Sequence, residues 1–124
     1  EKGTVALARR DKPGKEGKTF VSQEGIVETV KNLLTDVQAA LLKRATEYRD
    51  ANIHNAENYE DLKKAVQDGW AFAYWCESTE CEKKVKEEAK ATTRNIPFNQ
   101  PDTEGKCVVC GKTSKRKVYF AKAY

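Results

Sequence analysis

A chain of 124 residues with 23 Lys plus Arg against 19 Asp plus Glu carries a formal net charge of +4 and has room for one or two small modules, each with a modest core. Its hydrophobic fraction of 39% beside a charged fraction of 34% suits a lean globular chain, and no apolar run approaches the roughly 18 residues of a membrane-spanning helix. A charge this small does not announce nucleic acid, although Lys and Arg gather in 8–18 and 112–122 while acids fill 77–88.

No basic and apolar leader opens the sequence, so a cytoplasmic location without membrane attachment is expected. The chain begins at Glu1 and contains no Met, which is the expectation for a processed chain or an excised segment.

In chain order, Thr4 to Ala8 reads as a short strand entering a charged turn at Arg9-Arg10-Asp11-Lys12-Pro13-Gly14. Lys18 to Val21 pairs with it as a hairpin, a unit marginal by itself and therefore expected to come from a larger sheet. From Ser22 the period changes. Ile26, Val27, Val30, Leu33, Leu34, Val37, Leu41, Leu42, Ala45 and Tyr48 recur at three- and four-residue steps, predicting one long amphipathic helix with Ser22 as its cap. Loop-forming residues collect at 50–55, where the lone His54 reads as a surface histidine. Asn58 then starts a second helix that stops at a left-handed Gly69.

Trp70 to Trp75 alternates large and small side chains, predicting a strand with Trp70, Phe72 and Tyr74 on its buried face, in preference to a surface for stacking bases. A charged helix capped by Thr79 runs past Cys81 to about Ala91. Strands follow at 92–98 and 117–121, separated by a loop and by a tight Cys107-Val108-Val109-Cys110-Gly111 knuckle. The predicted fold class is α+β: a long connecting helix and a small antiparallel sheet with helices around a four-cysteine structural zinc site.

The cysteines carry the chemistry. Four residues separate Cys76 from Cys81, two separate Cys107 from Cys110, and 25 lie between the pairs. Two close pairs brought together by intervening structure is the arithmetic of a tetrahedral zinc site, closed by four sulfurs and leaving no coordination position for catalysis. Two disulfides, or a redox-active Cys107 and Cys110, are the alternatives, and both fit poorly with a reducing compartment. Arg9 and Arg10 are candidates for RNA phosphate contact, set against pairing with Asp11. The run Lys112, Lys115, Arg116 and Lys117 reads mainly as a solubilising flank.

The segments Trp75-Cys76, Cys81-Glu82, Asn95-Ile96-Pro97-Phe98, Gly105-Lys106-Cys107-Val108-Val109-Cys110-Gly111-Lys112 and Tyr119-Phe120-Ala121-Lys122-Ala123-Tyr124 resemble the C-terminal end of archaeal/eukaryote-type prolyl-tRNA synthetases. Ala8-Arg9-Arg10-Asp11 and the long helix are similar to the end of the same family's anticodon-binding domain, so the resemblance covers essentially the whole chain. It implies residues 1–21 as the last strands of an anticodon-binding domain, 22–54 as a connecting helix and 55–124 as a zinc-binding α+β domain. It also implies Cys76, Cys81, Cys107 and Cys110 as ligands of one structural zinc.

The resemblance further implies a parent enzyme, a homodimer, that activates proline with ATP and magnesium and attaches it to tRNA(Pro). This segment would pack against that enzyme's catalytic domain, place Tyr124 near the active site and contain no catalytic residue of its own. The competing expectation is a free-standing zinc-binding adaptor for RNA or protein.

Overall fold

The computed structural model describes residues 3–123, which divide into two compact units after Tyr48. In the first, β1 (Thr4–Ala8) pairs antiparallel with β2 (Lys18–Ser22), Val5 opposite Val21 and Leu7 opposite Thr19, with a 3-10 turn at Gly14–Gly17 between them. The expected hairpin is therefore present. Gly17 packs so closely under the turn that a Cβ there would overlap the Lys12 carbonyl oxygen.

Helix α1 (Ile26–Ala51) is long and carries the expected stripe, but it starts three residues later than a cap at Ser22 predicts. Ser22 ends β2, and its hydroxyl accepts the Glu24 N–H at 3.1 Å in a local turn, a role that competes with capping. No α1 residue is buried. Val27, Leu34, Leu42 and Tyr48 are all more than 60% exposed. No helix among the described residues is long and apolar enough to cross a membrane.

The second unit is α+β, built on a four-stranded sheet of order β3-β4-β8-β5 from β3 (Ile53–Asn55), β4 (Trp70–Tyr74), β5 (Ala91–Asn95) and β8 (Lys117–Lys122). Strand β8 runs antiparallel to both β4 and β5, whereas β3 joins β4 in parallel through α2 (Tyr59–Asp68). The sequence places 50–55 in a helix end and loop. Instead α1 stops at Ala51, Asn52 alone forms the turn, and Ile53-His54-Asn55 forms the edge strand with His54 exposed. Three residues are too few for alternation to be legible.

Asn58 caps α2 as expected: its side-chain oxygen accepts the Asp61 N–H at 2.9 Å and its amide donates to the Asp61 carboxylate at 2.7 Å. Gly69 does end the helix, but with φ −158° it is extended, not left-handed. Its requirement is space, since a Cβ would collide with the Asn52 carbonyl oxygen, which accepts the Trp70 N–H at 2.9 Å.

Helix α2 packs on β3, β4 and β8, and α3 (Thr79–Ala89) packs on β5. The core between helices and sheet comprises Leu62, Val66, Val85, Val118 and Phe120, all essentially inaccessible, together with Ala71, Ala73 and Ala91. Each large apolar side chain buried there contributes about 1.5–3 kcal/mol. The alternation of β4 is thus inverted relative to expectation: the alanines face the core and Trp70, Phe72 and Tyr74 lie on the other face. Helices approaching a sheet closely need small residues beneath them, so size here follows packing distance and not hydrophobicity.

Helix α3 is preceded by Ser78 as its boundary residue, with Thr79 already inside the helix. Glu82, the expected partner of a Thr79 cap, reaches across to β5, where its carboxylate accepts from the Thr93 backbone N–H and hydroxyl. Strand β5 stops at Asn95, where its register with β8 shifts, so Ile96 to Phe98 forms a loop and not the strand end that apolar content suggests.

Candidate metal centre

The four cysteines converge from three local structures. Cys76 follows the end of β4, and Cys81 sits in the first turn of α3. Cys107 and Cys110 flank a turn between β6 (Gly105–Lys106) and β7 (Thr113–Ser114), a short antiparallel pair. That turn is closed by Cys107 N–H donating to the Lys112 carbonyl at 2.7 Å and Gly111 N–H to the Cys107 carbonyl at 2.8 Å. Gly111 adopts φ +73°, the left-handed conformation that lets the chain reverse directly after the second cysteine.

The knuckle is fastened to the sheet by backbone. Val108 N–H donates to the Tyr74 carbonyl at 2.9 Å, and Trp75 N–H to the Arg116 carbonyl at 2.8 Å. The buried Ser114 adds a second fastening: its hydroxyl donates to the Trp75 carbonyl at 2.6 Å and accepts the Arg116 N–H at 3.0 Å. Glu77, left-handed at φ +62°, turns the chain out of Cys76 and pairs with Arg116 at 3.0 Å. Sequence reasoning did not find Ser114 or Glu77, because a serine in Lys112-Thr113-Ser114-Lys115 reads as a solvated turn and Glu77 as the start of an acidic surface run.

All four Sγ atoms lie within 4.8 Å of one another, with Cys76 to Cys81 at 3.5 Å and Cys76 to Cys110 at 3.6 Å. They are free thiols. A tetrahedral ion with bonds to sulfur near 2.3 Å sets its ligands about 3.8 Å apart, so the donor set fits a metal ion in both chemistry and spacing. Cys81 and Cys107 are buried, Cys76 is half-buried and Cys110 is exposed, so the site is closed inward and faces water at one corner.

The electrostatics show what a cation would change. Burial pushes the Cys76 and Cys81 thiols up, while the Lys112 backbone N–H pulls Cys110 down to about 7. Without a cation, negative charge concentrates on the exposed sulfur. A divalent ion at the centre is what stabilises four thiolates at once. Among the described residues this is the one cluster of three or more His, Cys, Asp or Glu placed to hold a metal.

The other sequence candidates lie elsewhere. Arg9 is engaged by Asp11 in a two-point ion pair, Nε to Oδ1 at 3.0 Å and a terminal guanidinium nitrogen to Oδ2 at 2.8 Å, while Arg10 is exposed. Tyr124 lies outside the described residues. The basic run after the knuckle is dispersed among partners: Lys115 pairs with Glu104 at 3.2 Å, Arg116 with Glu77, and Lys117 donates to Asn55 at 2.6 Å from above the Phe72 ring.

A family model described as prolyl-tRNA synthetase, C-terminal, matches residues 59–124, just over half of the chain and all of the cysteines. A proline--tRNA ligase of Roseiflexus sp. (strain RS-1) is 46% identical over 124 residues, 100% of this chain and 26% of the relative. One of Chloroflexus aggregans is 48% identical over 123 residues, covering 99% of this chain and 26% of the relative, and one of Parabacteroides distasonis is 43% identical over 125 residues. The chain thus spans about a quarter of the length of these curated relatives. With the family match covering the four-cysteine unit and these relatives aligned along essentially the whole chain, the chain belongs to the prolyl-tRNA synthetase C-terminal family.

Proposed function

We propose that this chain is the C-terminal part of a proline-tRNA ligase of the archaeal/eukaryote type and acts there as a zinc-stabilised structural module. The observation that carries the reading is the closed four-sulfur cluster in a chain similar along its whole length to proteins named proline--tRNA ligase. Cys76, Cys81, Cys107 and Cys110 would hold one zinc, which supplies a covalent-strength clamp between β4, α3 and the knuckle and has no open position for activating water. Thiolate ligation requires reduced cysteines, which the cytoplasm, where such an enzyme would work, maintains.

The parent polypeptide would activate proline with ATP and magnesium and transfer it to tRNA(Pro), using residues outside this chain, and would act as a homodimer. Within it, 1–21 would complete the anticodon-binding domain, α1 would connect, and the second unit would pack on the catalytic domain. Arg9 and Arg10 would lie on the tRNA side, with Arg10 the better placed because Asp11 occupies Arg9. Tyr124 is assigned near the active site from the family resemblance.

The test is the natural polypeptide that carries this chain, detected in extract through its 117–124 tail. The expected result is a band several times larger than 14.0 kDa that co-purifies with proline-dependent charging of tRNA. A band near 14.0 kDa with salt-sensitive RNA binding would replace the reading with the free-standing adaptor.

A further inference from the structure

Two features of the second unit are not explained by the metal centre. The first is the loop after β5, where Ile96 is 42% exposed and Phe98 is 104% exposed, more than any other large apolar side chain described. This loop is held in place. The Gln100 side-chain amide donates to the Pro97 carbonyl at 2.7 Å and to the Lys117 carbonyl at 3.0 Å, while its side-chain oxygen accepts the Lys117 N–H at 2.7 Å. Gln100 thereby continues the ladder of β8 beyond the point where β5 leaves it, and Phe98 is presented by a clamped backbone.

The second feature is the aromatic row on the sheet face opposite the helices. Phe72 and Tyr119 stack with centroids 4.5 Å apart, Trp70 meets Tyr119 edge-on at 6.1 Å, and Lys117 Nζ lies 4.5 Å from the Phe72 centroid. Row and loop meet at one end of the sheet, since Asn95 pairs with Tyr119 and Gln100 with Lys117.

We propose that the Ile96–Phe98 loop, backed by this aromatic row, is the surface through which the second unit docks onto the part of the parent ligase that lies outside this chain, with Phe98 as the anchor in an apolar pocket there. The inference rests on the reading of the chain as the tail of a longer ligase, and it names the contact surface. Relatives carry about three quarters of their length outside the matched region, so an intramolecular partner is present at high effective concentration. A protruding aromatic on a rigid loop loses little conformational entropy on burial, which is the property of a binding anchor. Nucleic acid fits less well. Phe72 is stacked on Tyr119 and has Lys117 Nζ over its ring, so the centre of the row is already occupied by its own contacts and is a poor platform for stacking bases.

The experiment is hydroxyl-radical footprinting of the natural full-length polypeptide, with proline charging measured on the same preparation. Phe98 is expected to oxidise at least about tenfold more slowly than in the denatured polypeptide, as for a side chain buried at an interface core. Charging activity together with Phe98 reactivity near the denatured rate overturns the docking surface and leaves the ligase reading standing, whereas absence of charging strikes the ligase reading itself. Protection that arises only on adding tRNA also overturns the proposal, in favour of an RNA surface. A second variant guards against misfolding: Phe98→Asp in the full-length polypeptide should retain its metal yet release the C-terminal unit to trypsin about fivefold faster or more, as expected when an interface anchor is lost. Unchanged release with metal retained contradicts the proposal.

Discussion

Cys76 and Cys110 stand 34 positions apart in sequence, yet their sulfurs lie 3.6 Å apart, because the Val108 N–H binds the Tyr74 carbonyl and seats the knuckle on the end of β4. The metal centre is therefore an extension of the sheet's hydrogen bonding. What removes the centre should also loosen the sheet.

Cys107 is 3% exposed and joins the knuckle to the core. Cys107→Ser is expected to lose the metal and to lower the midpoint of thermal unfolding by at least about 10 °C, since each kcal/mol is worth roughly 4–8 °C in a domain this small. Cys110→Ser, at the exposed corner, is expected to weaken retention with a smaller shift. Calorimetry with metal analysis of both variants checks the order, and equal stability of Cys107→Ser and the unmodified chain would contradict it.

Proton release measures the same centre. Burial keeps the Cys76 and Cys81 thiols protonated, and Cys110 titrates at about 7, so binding a divalent ion at neutral pH must expel protons. About two or more protons per metal are expected, from Cys76, Cys81 and part of Cys110, read from titration calorimetry in buffers of different ionisation enthalpy. Metal affinity should accordingly fall as pH drops, because protons compete for the thiolates. Release of fewer than about two protons would mean that the sulfurs are not all ligands.

Strand β4 offers a test of which face is buried. Enlarging Ala73, which has no exposed surface beneath the helices, to Leu should destabilise the second unit by about 1–3 kcal/mol. Trp70→Leu, on the open face where Trp70 is 42% exposed, should cost less. Denaturant unfolding of both variants decides, and the reverse order would restore the aromatic-inward strand that its residue sizes suggest.

Two glycines separate space from backbone conformation. Gly69→Ala drives a Cβ into the Asn52 carbonyl and should cost more than about 2 kcal/mol, because backbone must move. Gly111→Ala has open space but keeps φ +73°, so about 1–2 kcal/mol is expected from the left-handed conformation alone. Chemical denaturation of the metal-bound chain compares them.

Much of this was legible because it is written in local chemistry. The cysteine spacing states a four-ligand site without reference to the fold, the three-and-four periodicity states α1, and Asn58 with Asp61 states the start of α2. The inverted β4 was not legible, since alternation reveals two faces but not which one the helices cover; the small side chains under α2 and α3 answer to packing distance. β3 is too short for a period, and each of its residues pairs with one 17 positions later, Ile53 with Trp70. Ser22 and Glu82 carry capping chemistry but spend it on a turn and on Thr93, and nothing in sequence chooses between those partners. Ser114 and Gln100, which fasten the knuckle and the loop, act across long separations that a single sequence does not display.

The most direct test of the central claim is the mass of the purified chain under native and then acidic denaturing conditions. One zinc per chain under native conditions, lost on acidification to leave four intact thiols, is the expected result. A folded chain without metal, or a mass lower by the hydrogens of two disulfides, would contradict the structural zinc centre on which the account rests.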